Sequence, residues 1–453
     1  MRLPRIVGTT LLISVILVSG SVQAGGPSQG REVTATPAVL KQRDRVDPAN
    51  RMLRDRLDHL LPVLMRETGI DLWVVINREY AEDPVYLTLV PEPVFSARRT
   101  TMLVIHDRGE KGIERLTVSR YPLGEMYDPA WEGGSEEDQW KQLVKVISDR
   151  NPRTIGINTS EHWAFGDGIT ASLRDRLIAE LPTELRDRIV GAESLAIRWL
   201  ETRSAMELEV YPHVVAIARS VIAESFSNRV ITPGVTTTDD VAWFIRQRFA
   251  DLDVAAWFMP YVNIQRRGAV HEVEDPFFGK EGVIHRGDVL HTDVGICYLR
   301  LCTDTQEMGY VLGEGETEPP KGLRDALAAG NRWQDILTSN FRSGSTGNEI
   351  LARTIAQSES ENIRSSTYTH PLGFFGHAPG PTVGMWDQQG PTPVRGDWAL
   401  RPNTGFAIEG NVKVRVPEWN DQWVQVKLEQ SAWFNGEKVY YLAGRQTTWH
   451  VVE

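Results

Sequence analysis

The chain has 453 residues, 49 Lys and Arg against 60 Asp and Glu, a formal net charge of −11, and 41% hydrophobic and 24% charged residues. At ~100–200 residues per domain the length sets two or three domains, and the composition suits a folded protein with a sizeable core. The acidic balance argues against a nucleic-acid partner, whose phosphates need a basic face. Two cysteines, Cys297 and Cys302, exclude a disulfide scaffold.

The first 24 residues read as a secretory signal peptide. Arg2 and Arg5 give a basic start, Ile6 to Gly20 carries no charge, and Ser21-Val22-Gln23-Ala24 ends in a small residue suited to cleavage. The run is shorter than the ~20 apolar residues of a membrane span. An uncleaved anchor is the alternative. No later stretch resembles a transmembrane helix, so the mature protein is expected to be periplasmic or secreted, with no membrane span after cleavage. Residues 25–46 read as an N-terminal arm.

A helix is expected from about Pro48, with Leu53, Leu57, Leu60, Leu61 and Leu64 at helical spacing. Strands follow at Asp71–Ile76, Thr101–His106, Leu116–Ser119 and Thr154–Ile157, with a helix at Glu136–Ile147. Strands alternating with helices predict an α/β domain over 47–195.

Texture changes over 196–453. Ser204-Ala205-Met206-Glu207 fits a capping box and opens a helix to about Ser227, in which Pro212 predicts a kink or a later start. Thr236, with Asp239 three residues on, is the expected cap of a helix through Phe249. Strands are expected at Asp288–Asp304, Gly309–Leu312, Gly405–Val416 and Trp423–Trp433, and helices at 321–341 and 346–358. This is an α+β pattern. Cys297 and Cys302 flank an expected hairpin turn, either as a local disulfide or as two buried thiols.

The chemistry-bearing residues are acids set in apolar strands. Asp293 lies in Val289-Leu290-His291-Thr292-Asp293-Val294, and Asp304 follows 11 residues later across a turn. Glu409 ends Phe406-Ala407-Ile408-Glu409, and Glu429 ends Val426-Lys427-Leu428-Glu429, 20 residues on. A buried acid is costly unless paired or bound to a cation. Divalent metals need several hard donors converging from separate elements, and imidazole can complete the set.

The order acid, 11-residue gap, acid, His-rich loop, strand Glu, second strand Glu resembles the pita-bread metallopeptidases. That family includes methionine aminopeptidase, prolidase and aminopeptidase P. The 47–195 domain resembles the N-terminal domain that prolidase, aminopeptidase P and creatinase carry. The resemblance implies an α/β N-terminal domain plus an α+β pita-bread catalytic domain. It implies two divalent metal ions, Mn in the first instance with Zn, Co or Fe open, held by Asp293, Asp304, one histidine, Glu409 and Glu429. Asp304 and Glu429 would bridge. It also implies a short peptide substrate, an Xaa-Pro aminopeptidase activity and a homodimer. A metal-dependent lyase or other hydrolase on the same fold, and a non-catalytic binding protein, are the alternatives.

Two frames fit the histidine. In one, His370-Pro371-Leu372-Gly373 is the ligand motif and His377 faces the substrate. In the other, Gly376-His377-Ala378-Pro379-Gly380 is the ligand motif and the second histidine is lost. The first keeps both histidines, and His370 is taken as the ligand. In this reading Glu409 moves the proton, while His271 and His377 bond the scissile carbonyl. His291 alternates with Asp293 and can share its face. Asp288 reads as a turn acid. Where the family has a Thr-Arg-Thr run, this chain has Thr305-Gln306-Glu307, a departure that weakens transfer of substrate preference.

Overall fold

The structure is a computed structural model that describes residues 36–453. The expected signal peptide and the first half of the arm lie outside the described residues. Among the described residues no helix is long and apolar enough to cross a membrane.

The helix expected from about Pro48 begins earlier, at Gln42, and runs to Asp55 with Pro48 inside it. A π-helical turn, Arg56–Leu60, leads into Leu61–Thr68, which Gly69 closes in the left-handed conformation at φ 70°. Six strands then form one sheet: β1 (Leu72–Arg78), β2 (Thr100–Asp107), β3 (Ile113–Ser119), β4 (Asp128–Pro129), β5 (Ile155–Ile157) and β6 (Ile189–Gly191), in the order β4-β3-β2-β1-β5-β6. Along β1, Leu72, Val74 and Ile76 pack under helices Glu136–Arg150 and Ala171–Glu180. Trp73 and Val75 pack on the opposite side, against Leu57, Leu61 and Leu195. Burial on both faces is why this strand reads as an unbroken apolar run.

The capping box forms as expected: Ser204 Oγ accepts from the Glu207 N–H, and the Ser204 N–H donates to Glu207. The helix Ala205–Ser225 passes through Pro212 without a later start. The next cap is Thr237, paired with Asp240, rather than Thr236, and its helix is Thr238–Asp251. Thr236 Oγ1 is turned back to accept from the Thr232 N–H at 2.9 Å.

The remaining strands are β7 (Ala255–Ala256), β8 (Tyr261–Gln265), β9 (Val289–Val294), β10 (Ile296–Tyr298), β11 (Leu301–Cys302), β12 (Thr305–Val311), β13 (Arg364–Thr367), β14 (His370–Leu372), β15 (Thr404–Val416), β16 (Gln422–Phe434), β17 (Val439–Tyr441) and β18 (His450–Val452). Nine of them form a sheet ordered β13-β15-β16-β12-β9-β8, with β14 on β15, β17 on β16 and β18 on β12. The strand structure expected over Asp288–Asp304, with a hairpin turn between the cysteines, divides between two sheets. After β9 the chain leaves the large sheet, and β10 and β11 join β7 in a small one. Leu299 and Arg300 make the two-residue turn there, both at positive φ (52° and 65°). Cys297 stands opposite Cys302 in register, and the two are disulfide-bonded.

Helices Lys321–Ser339 and Gly347–Ser360 cover one side of β15 and β16. Along β16, Val424, Val426 and Leu428 go into that core. Gln425, Lys427 and Glu429 therefore face the other way, as do Glu409 and Asn411, their partners on β15. Gly410 is held by space: a Cβ there would stand 2.3 Å from Ser366 O and 2.4 Å from the Trp333 ring. A helix tryptophan thus packs directly under the strand at Glu409.

Candidate metal centre

Strand register gathers the acids. Asp293 is opposite Gln306, Gln306 is opposite Glu429, and Glu429 is opposite Glu409, so β9, β12, β16 and β15 present one row. Asp304 enters from the turn just before β12, anchored by Ser431, whose hydroxyl donates to Asp304 O at 3.1 Å. His370 comes from β14, paired with Ala407 on β15.

His370 Nε2 stands 3.7 Å from Asp304 Oδ2, 3.7 Å from Glu409 Oε2 and 3.7 Å from Glu429 Oε1. Its Nδ1 lies 3.0 Å from Pro371 O, an acceptor, so Nδ1 carries the proton and Nε2 presents a lone pair. Burial, and then His377 beside it, lower the imidazole to about 3, which keeps the ring neutral. A lone pair aimed at three carboxylates has no donor to meet. His370 Nε2, Asp293 Oδ1, Asp304 Oδ1 and Glu429 Oε1 are all buried without a hydrogen-bond partner. Burial is also the largest cause that raises Asp293, to about 7, and Asp304, Glu409 and Glu429 well above the usual carboxylate range; the acids' mutual repulsion adds to it for the last three.

Orphaned lone pairs and crowded anions are the two signs of a site shaped for cations. Three groups can each hold one ion: Asp293, Asp304 and Glu429; His370, Glu409 and Glu429; and Asp304, His370 and His377, with the ligand atoms of each group within 4.8 Å of one another. Asp304, His370 and Glu429 each recur in two groups, and of these only the two carboxylates have a second oxygen with which to bridge. All five residues expected to hold metal are brought together.

The other expected residues fall differently. His377 sits at the rim, with its side chain 57% exposed and its Nε2 3.8 Å from Asp304 Oδ2. Its ring is edge-on to His370 at 4.5 Å and to Trp257 at 5.0 Å. Gly376 lets that loop close onto Trp257, since a Cβ would come within 2.2 Å of the indole. His271 is not brought to the carboxylates. The segment after β8 folds back so that its ring stacks on Phe278 at 4.4 Å. Asp288 is buried and paired with Arg266 at 2.6 Å, a structural role that fits its reading as a turn acid.

Four neighbours of the site had no role in the sequence reading or only a minor one. Gln306 Nε2 donates to Glu409 Oε1 at 2.8 Å and to Glu429 Oε2 at 3.1 Å. Tyr368 lines the same pocket, its phenol pushed up by burial and then by the charges of Glu409 and Glu429. Lys427 is buried; its ammonium donates to Phe278 O at 2.8 Å and lies over the Phe277 ring at 3.3 Å. It is two residues from Glu429, and alternation alone puts both on one face. His291, which the sequence reading only allowed to share the face of Asp293, is buried and bonded to Asn263 and Gln306. Together with Asp293, Glu409, Asn411, Ser366, Trp386 and Tyr261 these side chains surround a cavity of about 360 Å³ that opens from the acids.

The N-terminal sheet domain reaches this rim. Phe165 packs on Phe375 at 4.6 Å, and Trp163 on Trp398 at 5.6 Å, so the loop carrying His377 is backed by both domains.

A sheet with a buried carboxylate and histidine cluster, helices on one side and a pocket opening from the cluster is the arrangement that the resemblance to pita-bread metallopeptidases implies. Residues 211–433 match the family model described as Metallopeptidase family M24, so this domain is similar to that family. No curated protein sequence matches the chain. Among solved structures it is similar to an X-Pro aminopeptidase from Thermotoga maritima MSB8, with TM-score 0.62 and 16% identity over 86% of this chain and 100% of that one. It is also similar to a Xaa-Pro dipeptidase from Bacillus anthracis, with TM-score 0.58 and 15% identity over 91% of this chain and 100% of that one. A prolidase from Pyrococcus furiosus matches with TM-score 0.55 and 13% identity, over 85% and 99%. At these identities the likeness is one of fold.

Proposed function

We propose that the protein is an aminopeptidase that uses two divalent cations to hydrolyse the N-terminal bond of short peptides, with proline after the scissile bond. The observation that carries this is the unprotonated His370 Nε2 facing three carboxylate oxygens at 3.7 Å. Asp293, Asp304, His370, Glu409 and Glu429 would hold the ions, and Mn is the first candidate. A cation pair there supplies Lewis acidity for the carbonyl and acidifies the attacking water.

The chain's own residues do the rest. Glu409 takes the proton of the attacking water and passes it to the leaving nitrogen. His377, exposed at the rim beside Asp304, is placed to bond the scissile carbonyl as negative charge develops on it. The cavity bounded by Tyr261, Phe277 and Trp386 receives the residue on the other side of the cluster. The 47–195 domain backs the rim and limits access to short peptides. Proline preference draws on the names of the structural relatives and on the two-domain plan. Export is part of the same proposal, since the leader sequence and the bonded Cys297–Cys302 pair both suit an oxidising compartment.

The test is to strip the protein of metal, refill it with Mn, Co or Zn, and screen dipeptides and tripeptides with and without proline in second position. Cleavage of Xaa-Pro peptides only in the refilled protein supports the reading. A chain loaded with two cations that cleaves none of them overturns it.

The two histidines should separate in the same assay. His370→Ala is expected to lower the number of bound cations per chain. His377→Ala is expected to keep both ions and lose activity by roughly 10²–10³-fold, the usual cost of one donor to a developing oxyanion. Elemental analysis beside kcat measures both.

A further inference from the structure

We propose that Asn263, His291 and Gln306 are positioning residues: a one-way line of hydrogen bonds that decides which oxygen of Glu409 and of Glu429 is offered to the cations. The proposal rests on the reading of those two glutamates as ligands.

The line crosses five adjacent strands, β8, β9, β12, β16 and β15. Asn263 Nδ2 lies 2.9 Å from His291 Nδ1, and His291 Nε2 lies 2.9 Å from Gln306 Oε1. Gln306 Nε2 then reaches Glu409 Oε1 at 2.8 Å and Glu429 Oε2 at 3.1 Å. Every direction is forced from the acid end. The amide turns its NH₂ to the acids, and Glu409 Oε1 and Glu429 Oε2 accept from it. Its oxygen then faces His291, so the ring must carry its proton on Nε2. Nδ1 is left as an acceptor, and only the amide nitrogen of Asn263 can meet it. Reversing one group alone sets donor against donor or lone pair against lone pair at the links it makes.

The space for this line is built in. A Cβ on Gly279 would stand 2.3 Å from Asn263 Oδ1, so the glycine makes room for the amide. Asn263, His291 and Gln306 are all buried, where an unpaired polar group is costly.

The consequence lies in the remaining oxygens. With Glu409 Oε1 and Glu429 Oε2 held by Gln306, Glu409 Oε2 and Glu429 Oε1 are the ones that stand 3.7 Å from His370 Nε2. Glu409 is thereby presented to the His370 side through one oxygen. This also gives a purpose to the departure from Thr-Arg-Thr: Gln306 can span two carboxylates with a single NH₂ group.

The first readout needs no cation. Long-range ¹H–¹⁵N NMR on the metal-free full chain should find His291 as the Nε2–H tautomer. The second is cation affinity by calorimetry. Gln306→Leu and His291→Leu should each weaken binding about 10-fold, within the range for partners that orient metal ligands. The double variant should be no weaker than Gln306→Leu alone, because both break one line. His291→Gln, which can donate to Gln306 and accept from Asn263, should recover affinity to within about 3-fold of wild type. In the refilled enzyme kcat should fall with KM little changed. An Nδ1–H tautomer, or losses in the two leucine variants that multiply, overturns the proposal while leaving the metal site intact. A wild-type chain that shows the Nε2–H tautomer but binds no cation overturns the functional reading instead.

Discussion

Glu429→Gln should lower kcat/KM by roughly three orders of magnitude, about 4 kcal/mol of lost transition-state stabilisation, and should at the same time make the metal-free protein more stable. Glu429 belongs to two of the three ligand groups, one with Asp293 and Asp304 and one with His370 and Glu409. An amide there keeps an oxygen for Gln306 but withdraws the second anionic oxygen that would join the two positions, so both ions should be weakened together. The gain in stability has the same origin. The Glu429 carboxyl is raised well above the usual range by burial, then by Asp304, Glu409 and Asp293. An acid raised in the folded state loses stability for the chain as pH climbs through its unfolded value, so at neutral pH the folded metal-free protein carries that cost. Replacing the acid by a neutral isostere removes part of it, on the order of 1–3 kcal/mol for such buried groups. Urea denaturation in chelator and steady-state kinetics after refilling measure the two effects. A variant destabilised without metal would mean that the carboxylate is a structural partner rather than a site.

The second large effect lies on β12, at the residue after Gln306 and so on the opposite face of the sheet from the acids. Glu307→Gln should destabilise the protein by about 3–5 kcal/mol, the cost of stranding a buried partner. Glu307 accepts from Arg219 Nε at 2.6 Å and from His450 Nε2 at 2.5 Å, which ties β12 to helix Ala205–Ser225 and to β18. Arg219 is itself buried and also donates to Ala443 O. Burial alone would raise the Glu307 carboxyl; the charges and hydrogen bonds of Arg219 and His450 outweigh it and bring it to about 2. With an ordinary value of 4.5 in the unfolded chain, the stabilisation is fully present above about pH 4.5 and is lost as pH falls through about 2. The gap between wild type and Glu307→Gln in urea titrations should therefore narrow from pH 5 to pH 2. A gap that is constant with pH would remove the ion pair from the explanation.

Much of this was legible because an acid inside an apolar strand is conspicuous. Glu409 and Glu429 stand out against Phe406-Ala407-Ile408 and Val426-Lys427-Leu428, and their partnership needed only a hairpin. Asp293 and Asp304 were legible as a pair, but not the excursion between them, because a three-residue and a two-residue strand leave no period to read. The cap slipped from Thr236 to Thr237 because adjacent threonines offer the same chemistry, and tertiary contacts choose between them. Gln306 and Asn263 were illegible as site neighbours for another reason. Their positions depend on the register of strands far apart in sequence, and register is set by the whole sheet. His291 was visible only as a neighbour of Asp293, without its partners. His271 illustrates the converse: its place in the order of motifs suggested a substrate contact, while the local fold turns its ring onto Phe278.

Anomalous diffraction from crystals soaked in Mn bears most directly on the claim that five side chains grip a pair of cations. The account predicts two peaks, one among Asp293, Asp304 and Glu429 and one among His370, Glu409 and Glu429. No peak at these carboxylates in protein soaked to saturation, or a single peak held by other residues, would contradict it.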